Sequence, residues 1–314
     1  MDLENRTGIP GPIYRVFNRW YNNHPTLQPT EFSATEVLNS AKQIYLRRKY
    51  EDSVKKDIQN VMKPIMGTWM HYAMSNALFE EEDCIVERRF KRDLHLDNTF
   101  GDTVVTLSGG VDLLYGDDQG LHIIDYKNTN QAKIDKAAQG EDTSFLDQMY
   151  IYAWLIEGEL GERPVDATIV AQNTLLRVGE INLEDPSKRP IQMLSFGLDD
   201  MEYQEELLSK IKEKISKVLS NDIPQCSEDE MWMTERMYGI KKPESQKYNK
   251  KCSSMAEANQ FLIEKGWAGK GYTITEIIPE PKKCRSFCDY LPWCKQGQEA
   301  VERYINSNKE NSNG

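Results

Sequence analysis

The sequence contains no apolar run that approaches the roughly 18 residues needed for a membrane-spanning helix. Its opening stretch, MDLENRTGIPGP, is polar and acidic, and it lacks the apolar segment at the centre of a signal peptide. These two absences argue against a membrane protein and against a secreted one. We therefore expect a cytoplasmic protein.

Basic residues are in the minority, with 39 Lys and Arg against 50 Asp and Glu and a formal net charge of −11. This excess of acid argues against indiscriminate coating of nucleic acid, although acids that hold metal ions in a nuclease would contribute to it. The basic residues are locally grouped, in YLRRKY (45–50), ERRFKR (87–92) and IKKPESQKYNKK (240–251). Each group is either a solvated surface or a track for phosphate groups, and the sequence leaves both interpretations open.

Cysteine is also scarce, with six residues in the chain. In a cytoplasmic protein these are thiols or metal ligands rather than disulfides. Three of them fall within the eleven residues from Cys284 to Cys294, which singles out this segment as a candidate metal site.

The order of helical and strand patterns predicts the fold class. Helical spacing comes first, followed by a series of short β-rich segments, a helix, a strand and a long amphipathic helix. This order predicts an α/β core with a Cys-rich C-terminal addition. The predicted divisions are an extended lead-in (1–30), the α/β core (31–220), the Cys-cluster region (221–305) and a disordered tail (306–314).

The stretch GGVDLLYGDDQGLHIIDYKNTN (109–130) reads as a strand, a tight turn and a second strand. Asp125 and Lys127 lie on the same face of the second strand because side chains alternate with period two. Strand pairing could bring Asp112 alongside them, and two neighbouring carboxylates repel each other unless a cation lies between them. Mg²⁺ and Mn²⁺ prefer such ligands, and a metal beside an ammonium suits phosphodiester hydrolysis. By itself the pattern also fits a surface hairpin with an Asp–Lys pair.

Further short motifs extend this hairpin pattern. In their order and spacing they resemble the PD-(D/E)XK nuclease superfamily, specifically its RecB-like exonuclease branch, over about residues 33–175. The matching pairs are Gly67 and His71, Gly109 and Asp112, Asp125 and Lys127, and Gln148 and Tyr152. The proline that gives the family its name is absent, since Val111 precedes Asp112.

The resemblance implies a restriction-endonuclease-like α/β core, with a mixed central sheet flanked by helices and a C-terminal Cys-rich subdomain, and it implies a metal site. Asp112 and Asp125 would hold Mg²⁺ or Mn²⁺, with the backbone carbonyl of Tyr126 as a further ligand. His71 would be a ligand that suits Mn²⁺ better than a purely oxygen site does. Glu87 is a further candidate, because the family often has an acid on that strand, but a solvated glutamate is an equal alternative.

The resemblance also implies catalytic roles outside the metal ligands. Lys127 would assist the nucleophile. Gln148 and Tyr152 would position DNA or the attacking water, and they lie one helical turn apart on the same face of a predicted helix.

The cysteines match a second feature of related nucleases. Phage members of the RecB-like branch carry four cysteines, most often around an iron–sulfur cluster, in an arrangement that Cys226, Cys284, Cys288 and Cys294 resemble. The spacing differs from the C-x(2)-C of common zinc sites, which favours a [4Fe–4S] cluster over Zn²⁺. Unligated thiols are the remaining alternative.

Taken together, the motifs predict a metal-dependent DNA nuclease. An exonuclease acting on single strands or duplex ends, in recombination, repair or phage DNA metabolism, is the form favoured, in a host cytoplasm if a phage encodes it. One alternative is a structure-specific endonuclease. Another is a catalytically weak DNA-binding or assembly module, but the intact set of Asp112, Asp125 and Lys127 argues against it.

Overall fold

The computed structural model describes residues 3–22, 27–78, 84–98, 101–173, 175–242, 244–245 and 247–313. They form two compact units. The first comprises Met1–Asn39 with Lys55–Ser220, and the second comprises Ser40–Val54 with Asn221–Gly314. The sequence analysis assigned residues 40–54 to the α/β core, whereas the structure groups them with the C-terminal region.

The helices and strands of the described residues are numbered in chain order. The helices are α1 (Gly11–Asn22), α2 (Ala34–Val37), α3 (Ala41–Tyr50), α4 (Met62–Leu78), α5 (Gln131–Ala138), α6 (Ser144–Leu160), α7 (Met201–Leu219), α8 (Met255–Glu264), α9 (Lys282–Ser286) and α10 (Lys295–Asn313). The strands are β1 (Glu31–Ser33), β2 (Cys84–Asn98), β3 (Gly101–Asp117), β4 (Gly120–Thr129), β5 (Pro164–Asn173), β6 (Ile191–Gly197), β7 (Met237–Lys241), β8 (Lys250–Cys252) and β9 (Thr273–Ile277). None of the described helices is long and apolar enough to cross a membrane.

The first unit is built on a mixed sheet, which confirms the predicted fold class. Its strand order is β1-β3-β4-β5-β6, and β2 pairs with β3. The pairs β1–β3 and β4–β5 are parallel, and the others are antiparallel. The chain between the parallel strands β4 and β5 contains α5 and α6, as expected because parallel neighbours need a long crossover.

Helix α6 is the most deeply buried helix of the first unit. Met149, Ile151 and Leu155 have no exposed surface, and almost every side chain from Phe145 to Ile156 is buried. A helix that is apolar on all sides belongs in a core. It ends at Gly161, whose left-handed backbone (φ 75°) is the conformation that glycine adopts at helix C-termini.

The prediction of an extended lead-in over residues 1–30 was wrong, because Gly11–Asn22 forms α1. Pro10 and Pro12 indicated extended chain, but proline near the first turn of a helix loses no hydrogen bond. The helix buries Phe17 in a cluster with Ile58, Val61 and Ile65. The apolar side of α1 therefore outweighs the prolines.

The helix expected from Ser33 onwards is divided in two. The capping box formed by Ser33 and Glu36 is present, but it begins the short α2. Ser40 caps a separate helix, α3, by accepting a hydrogen bond from the backbone N–H of Gln43. The second cap restarts the helix, and it does so where the chain passes into the second unit.

The second unit contains an antiparallel sheet with the order β8-β7-β9. Helix α8 packs on this sheet through Ala258 and Leu262, against Ile240 and Cys252. The last helix, α10, runs through residues 306–313, where disorder was predicted, and Gly314 lies outside the described residues.

Candidate active site

The β3–β4 hairpin forms as its sequence indicates. Leu113 pairs with Ile124 and Asp117 pairs with Gly120. Asp112 directly precedes Leu113 on β3, and Asp125 directly follows Ile124 on β4, so the two acids lie next to this pair. They are 6% and 1% exposed, so the hairpin holds two carboxylates at a buried end of the sheet.

Asp112 is held at both of its oxygens. Oδ2 accepts a hydrogen bond of 2.7 Å from the backbone N–H of Tyr126. Oδ1 lies 3.2 Å from Nδ1 of His71, which reaches the hairpin from α4. The ring of His71 also packs edge-on against Tyr126, with ring centroids 6.1 Å apart. The predicted G-x-x-x-H helix and the G-x-x-D strand therefore meet.

A second acid completes this group. Oε1 of Glu87 lies 3.2 Å from Nδ1 of His71. One ligand atom from each of His71, Glu87 and Asp112 lies within 4.8 Å of the other two, as the ligands of a single metal ion must. Hydrogen bonding to Asp112, and then to Glu87, raises the pKa of His71 to about 10.

The backbone at Glu87 explains how its carboxylate reaches His71. In the β2–β3 pairing Val86 lies opposite Leu113 and Arg88 opposite Val111, so Glu87 and Asp112 are left out of the register. Glu87 has φ 51°, a left-handed conformation that is rare for residues other than glycine. Such a conformation costs roughly 1–3 kcal/mol and is concentrated at functional sites. No sequence signal distinguishes this glutamate from a solvated one.

Asp125 and Lys127 form a pair beside this group, with Nζ of Lys127 2.5 Å from Oδ2 of Asp125. Apart from this ammonium, neither buried oxygen of Asp125 has a hydrogen-bond partner among the described residues. Burial raises the pKa of Asp125 to about 6, while the charge of Lys127 opposes that shift and the charge of Asp112 adds to it. A buried carboxylate with so few donors is a favourable place for a cation.

Asp125 lies outside the compact group of three ligand atoms. The charge of Asp112 nevertheless raises the pKa of Asp125 and the charge of His71 lowers it, so these three residues share one electrostatic environment. The structure thus brings together His71, Glu87 and Asp112 as one group and Asp125 with Lys127 as a neighbouring pair.

The Q-x-x-x-Y motif lies on α6 and is buried. Nε2 of Gln148 donates a hydrogen bond of 2.6 Å to Oη of Tyr152. Burial, and then the charges of Asp125 and Asp112, raise the pKa of Tyr152 well above its ordinary value. The phenol therefore stays protonated beside the two acids, able to donate a hydrogen bond.

Gly109 explains why the first residue of G-x-x-D is glycine. A Cβ at this position would lie 2.7 Å from Cε1 of Tyr152 and 2.9 Å from Cδ1 of Leu155, which is closer than side chains pack. The tyrosine ring can lie against β3 because Gly109 has no side chain. The G-x-x-D and Q-x-x-x-Y motifs are therefore in direct contact.

Two site features were missed by sequence reasoning. The ring of Tyr126 supports His71, whereas the prediction concerned its backbone carbonyl, which stays a prediction. Asn128 has a buried Oδ1 without a hydrogen-bond partner among the described residues, and its Nδ2 would lie 3.8 Å from a Cβ at Gly67. Tyr126 is the variable position of the D-x-K motif, and Asn128 directly follows that motif, so the motif specifies neither side chain.

The four predicted cluster cysteines all belong to the second unit. The side-chain amide of Gln296 binds the backbone of Cys226 twice, at 2.9 Å and 2.8 Å. The backbone N–H of Gly297 donates to Sγ of Cys294 at 3.4 Å. A Cβ at Gly297 would lie 3.4 Å from that sulfur and 3.6 Å from Sγ of Cys284, so both thiols border this glycine.

The thiols also affect one another. Burial, followed by the charges of Cys288, Cys294 and Cys226, raises the pKa of Cys284 to about 11. Within the described chain, the group whose ligand atoms lie within 4.8 Å of one another is the His71 group, and the sulfurs do not form a comparable one.

A family model of the PD-(D/E)XK nuclease superfamily matches residues 15–295. A search of curated proteins finds no significant match.

Similar solved structures share 14% identity with the chain. The structure of SSO0001 has a TM-score of 0.48 and covers 69% of this chain and 88% of its own. The alkaline exonuclease LHK-Exo from Laribacter hongkongensis has a TM-score of 0.34, with 61% and 89% covered. A phage-related exonuclease from Haemophilus somnus 129PT has a TM-score of 0.27, with 68% and 82% covered. At these TM-scores the likeness carries no argument about function.

Proposed function

This chain belongs to the PD-(D/E)XK nuclease superfamily, and on that premise we propose that it is a DNA exonuclease dependent on Mg²⁺ or Mn²⁺. The observation that carries the proposal is the meeting of His71, Glu87 and Asp112 beside the buried Asp125–Lys127 pair. Nitrogen and carboxylate ligands at the end of a hairpin, next to an ammonium, suit hydrolysis of a phosphodiester.

The metal ligands in this proposal are His71, Glu87, Asp112 and Asp125, with the carbonyl of Tyr126 in support. The residues fit a divalent cation because three ligand atoms already lie together and, among the described residues, the buried oxygens of Asp125 have no partner other than Lys127. The chemistry that Mg²⁺ or Mn²⁺ supplies when bound is activation of water and neutralisation of phosphate charge. The imidazole favours Mn²⁺ more than an all-oxygen site would.

Lys127 acts on the reacting groups. Its side chain is 24% exposed and its ammonium lies beside Asp125, so the group can contact both the acids and a phosphate. We assign it to orienting the attacking water and stabilising the negative charge that develops on the phosphate. The protonated phenol of Tyr152, held by Gln148, positions DNA or that water through a donated hydrogen bond.

The exonuclease form rests on the combination of motifs, since G-x-x-x-H, G-x-x-D, D-x-K and Q-x-x-x-Y occur here in the order found in the RecB-like exonuclease branch. Recombination, repair or phage DNA metabolism is the proposed context.

The test compares end-labelled linear DNA with covalently closed circular DNA, as single strands and as duplexes. Each substrate is incubated with Mg²⁺, with Mn²⁺ and with chelator. The proposal requires metal-dependent release of mononucleotides or short products from linear DNA, with circular DNA left intact. Nicking of the circle would favour the endonuclease alternative, and no cleavage of any substrate would favour the non-catalytic DNA-binding module.

We also propose that Cys226, Cys284, Cys288 and Cys294 bind a [4Fe–4S] cluster in the second unit. Support comes from the shared border of two thiols at Gly297 and from the clamp of Gln296 on Cys226. The sequence spacing Cys284-x(3)-Cys288-x(5)-Cys294, which differs from the C-x(2)-C of common zinc sites, favours the cluster. A shared ligand set would also link Cys226 to a segment far along the chain.

The cluster is tested on protein purified without oxygen. Brown protein with absorbance near about 400 nm, together with iron and sulfide, supports the proposal. Colourless protein with one zinc per chain would support the tetrahedral site instead. Absence of both metals, with unchanged stability of Cys226→Ser and Cys288→Ser, would identify the cysteines as ordinary thiols.

A further inference from the structure

The basic groups noted in the sequence differ in what their charges contact. In ERRFKR, Arg88 pairs with Glu159 and Lys91 lies 3.1 Å from Glu31. In YLRRKY, Arg47 lies 3.6 Å from Glu51. These side chains have intramolecular acids as partners, so much of their charge is already compensated.

The group IKKPESQKYNKK is different. Four of its lysines have no carboxylate within 4.0 Å among the residues that the structure describes. These lysines are Lys242, Lys247, Lys250 and Lys251, and all four are exposed.

The fold gathers these lysines on one hairpin, β7–β8, which spans residues 237–252. Lys250 pairs with Ile240 and Lys251 with Gly239, so both lie on β8 at the edge of the three-stranded sheet. Lys242 and Lys247 lie in the connection between the two strands. Hairpin formation therefore concentrates positive charge on a short exposed edge.

An aromatic ring organises part of this charge. A Cβ at Gly239 would lie 2.2 Å from Cδ1 of Tyr248, so the tyrosine ring lies directly on β7 where only glycine leaves room. Nζ of Lys251 is 5.8 Å and Nζ of Lys241 is 5.9 Å from the centre of that ring. Two ammonium groups thus flank one ring, which restrains them by cation–π attraction.

The local charge is opposite to that of the whole chain. Residues 241–270 contain seven lysines and three acids, whereas the full chain carries a net charge of −11. Exposed ammonium groups interleaved with aromatic rings are the pattern used to follow a nucleic-acid backbone. Tyr272, which lies beneath Lys242 with its ring centre 5.5 Å from Nζ, adds a second ring to this pattern.

We propose that the β7–β8 hairpin is a second DNA-binding surface, which contacts the phosphates of the substrate through Lys242, Lys247, Lys250 and Lys251. The inference rests on the proposed nuclease function for the identity of its ligand. It adds a contact that the metal site does not provide, because the hairpin belongs to the second unit and the acids belong to the first.

The proposal makes a quantitative demand on salt dependence. Each phosphate contact contributes about 0.7 to the slope of log K against log salt for a single strand, and about 0.9 for a duplex. Loss of three lysine contacts should therefore lower the slope by about 2 for a single strand and about 3 for a duplex, and weaken binding by about 100-fold or more near about 0.1 M salt.

The test uses the full chain with EDTA, so that binding is measured without cleavage. The probes are fluorescent single-stranded and duplex DNA of about 40 nucleotides, long enough to engage several phosphates at once. The test variant is the triple Lys242→Gln, Lys247→Gln, Lys251→Gln.

The control is a second triple with the same change of charge. It replaces three lysines that each have a carboxylate partner, at 3.5 Å, 3.5 Å and 3.7 Å: Lys188→Gln, Lys210→Gln and Lys295→Gln. We expect the test triple to lose slope and affinity and the control to change affinity less than about twofold. Equal effects of the two triples on DNA affinity and salt slope would overturn the proposal. Unchanged DNA binding by the test triple would overturn it as well.

A small-substrate assay separates this inference from the proposed function. With Mn²⁺, both triples should hydrolyse the p-nitrophenyl ester of thymidine 5′-phosphate at the wild-type rate, since this substrate has a single phosphate, which the proposed metal site would hold. If the wild-type protein cleaves no DNA, the proposed function fails. The salt slopes still decide whether the hairpin binds DNA.

Discussion

Two hairpins of this protein handle charge in opposite ways. The β3–β4 hairpin buries its acids, with Asp125 only 1% exposed, whereas the β7–β8 hairpin displays its lysines to solvent. A buried charge loses several kcal/mol of hydration and needs a partner or a cation. An exposed charge loses little and is screened by salt, so it acts through number and spacing. The buried acids of β3–β4 are therefore suited to holding a cation, and the exposed lysines of β7–β8 are suited to contacting an anionic partner.

The largest effect is expected at the buried acids. Asp112→Ala or Asp125→Asn should lower DNA cleavage by at least about 10³-fold, because each would remove a proposed ligand of the metal that activates water. Cleavage with Mn²⁺ is the measurement. The exposed Asp135→Asn on α5 is the control, and wild-type turnover in either site variant would remove the hairpin from the mechanism.

Although Asp125→Asn should lower cleavage, it should raise the stability of the fold above about pH 6, because it removes a buried charge. The folded-state pKa of Asp125, about 6, lies above the ordinary value of 3.8, so the unfolded state loses its proton first. Wild-type stability in EDTA should therefore fall as pH rises from 3.8 through about 6. Asp125→Asn should show a flatter profile, and identical thermal unfolding profiles would contradict this.

Lys127→Ala should reduce turnover by about 10²-fold while Mn²⁺ still binds, because Lys127 stabilises developing charge and is not a ligand. Calorimetric Mn²⁺ titration and single-turnover cleavage separate the two properties. The exposed Lys136→Ala on α5 is the matched control. Intact single-turnover chemistry with lost DNA affinity would make Lys127 only a phosphate anchor, and the contrast between the two hairpins would weaken.

Substitutions at Glu87 test whether its unfavourable left-handed backbone conformation is kept because the carboxylate is needed for activity. Glu87→Gly should lower cleavage by about 10- to 100-fold, yet stabilise the fold by about 1 kcal/mol, since glycine tolerates φ 51°. Glu87→Gln should lose similar activity without the gain in stability. Thermal unfolding and cleavage are measured together, and full activity in both variants would return Glu87 to the class of solvated residues.

A smaller effect is expected from the contact between two motifs. Gly109→Ala should destabilise the fold by about 1–3 kcal/mol, because its Cβ would lie 2.7 Å from the Tyr152 ring. Gly110→Ala is the control, since the nearest atom to its Cβ would be a flexible arginine nitrogen at 3.9 Å. Denaturant unfolding compares the two, and equal midpoints would show that the ring moves without cost.

The smallest effect is expected on the pH dependence of stability at His122, near the turn of the β3–β4 hairpin. This residue is intermediate between the two hairpins because it is a buried group whose acid partners are partly exposed. His122 is buried, with Asp166 and Asp117 each 2.9 Å from a ring nitrogen. Burial opposes its charge, but the two carboxylates more than offset this and raise the pKa of His122. Its stabilisation is therefore present below the ordinary value of 6.5 and lost as pH rises through the raised pKa. His122→Gln should remove that loss from the unfolding profile, and an unchanged profile would contradict the pairing.

The sequence alone determined those site features that depend on local geometry. Period two in β4 put Asp125 and Lys127 side by side, and they lie 2.5 Å apart. One helical turn in α6 put Gln148 against Tyr152, and they share a hydrogen bond. Both follow from the repeat of a single element, which any stretch of residues carries within itself.

Only the tertiary structure decided which distant residues join them. The left-handed backbone of Glu87 and the fit of the Tyr152 ring over Gly109 depend on chain segments far apart in sequence. Residues 40–54 joined the second unit in the same way, through the packing of Leu46 and Val54 with Tyr290 and Cys294. Such contacts are selected by the sum of many packing and charge interactions across the folded chain, and no periodicity in one segment encodes that sum.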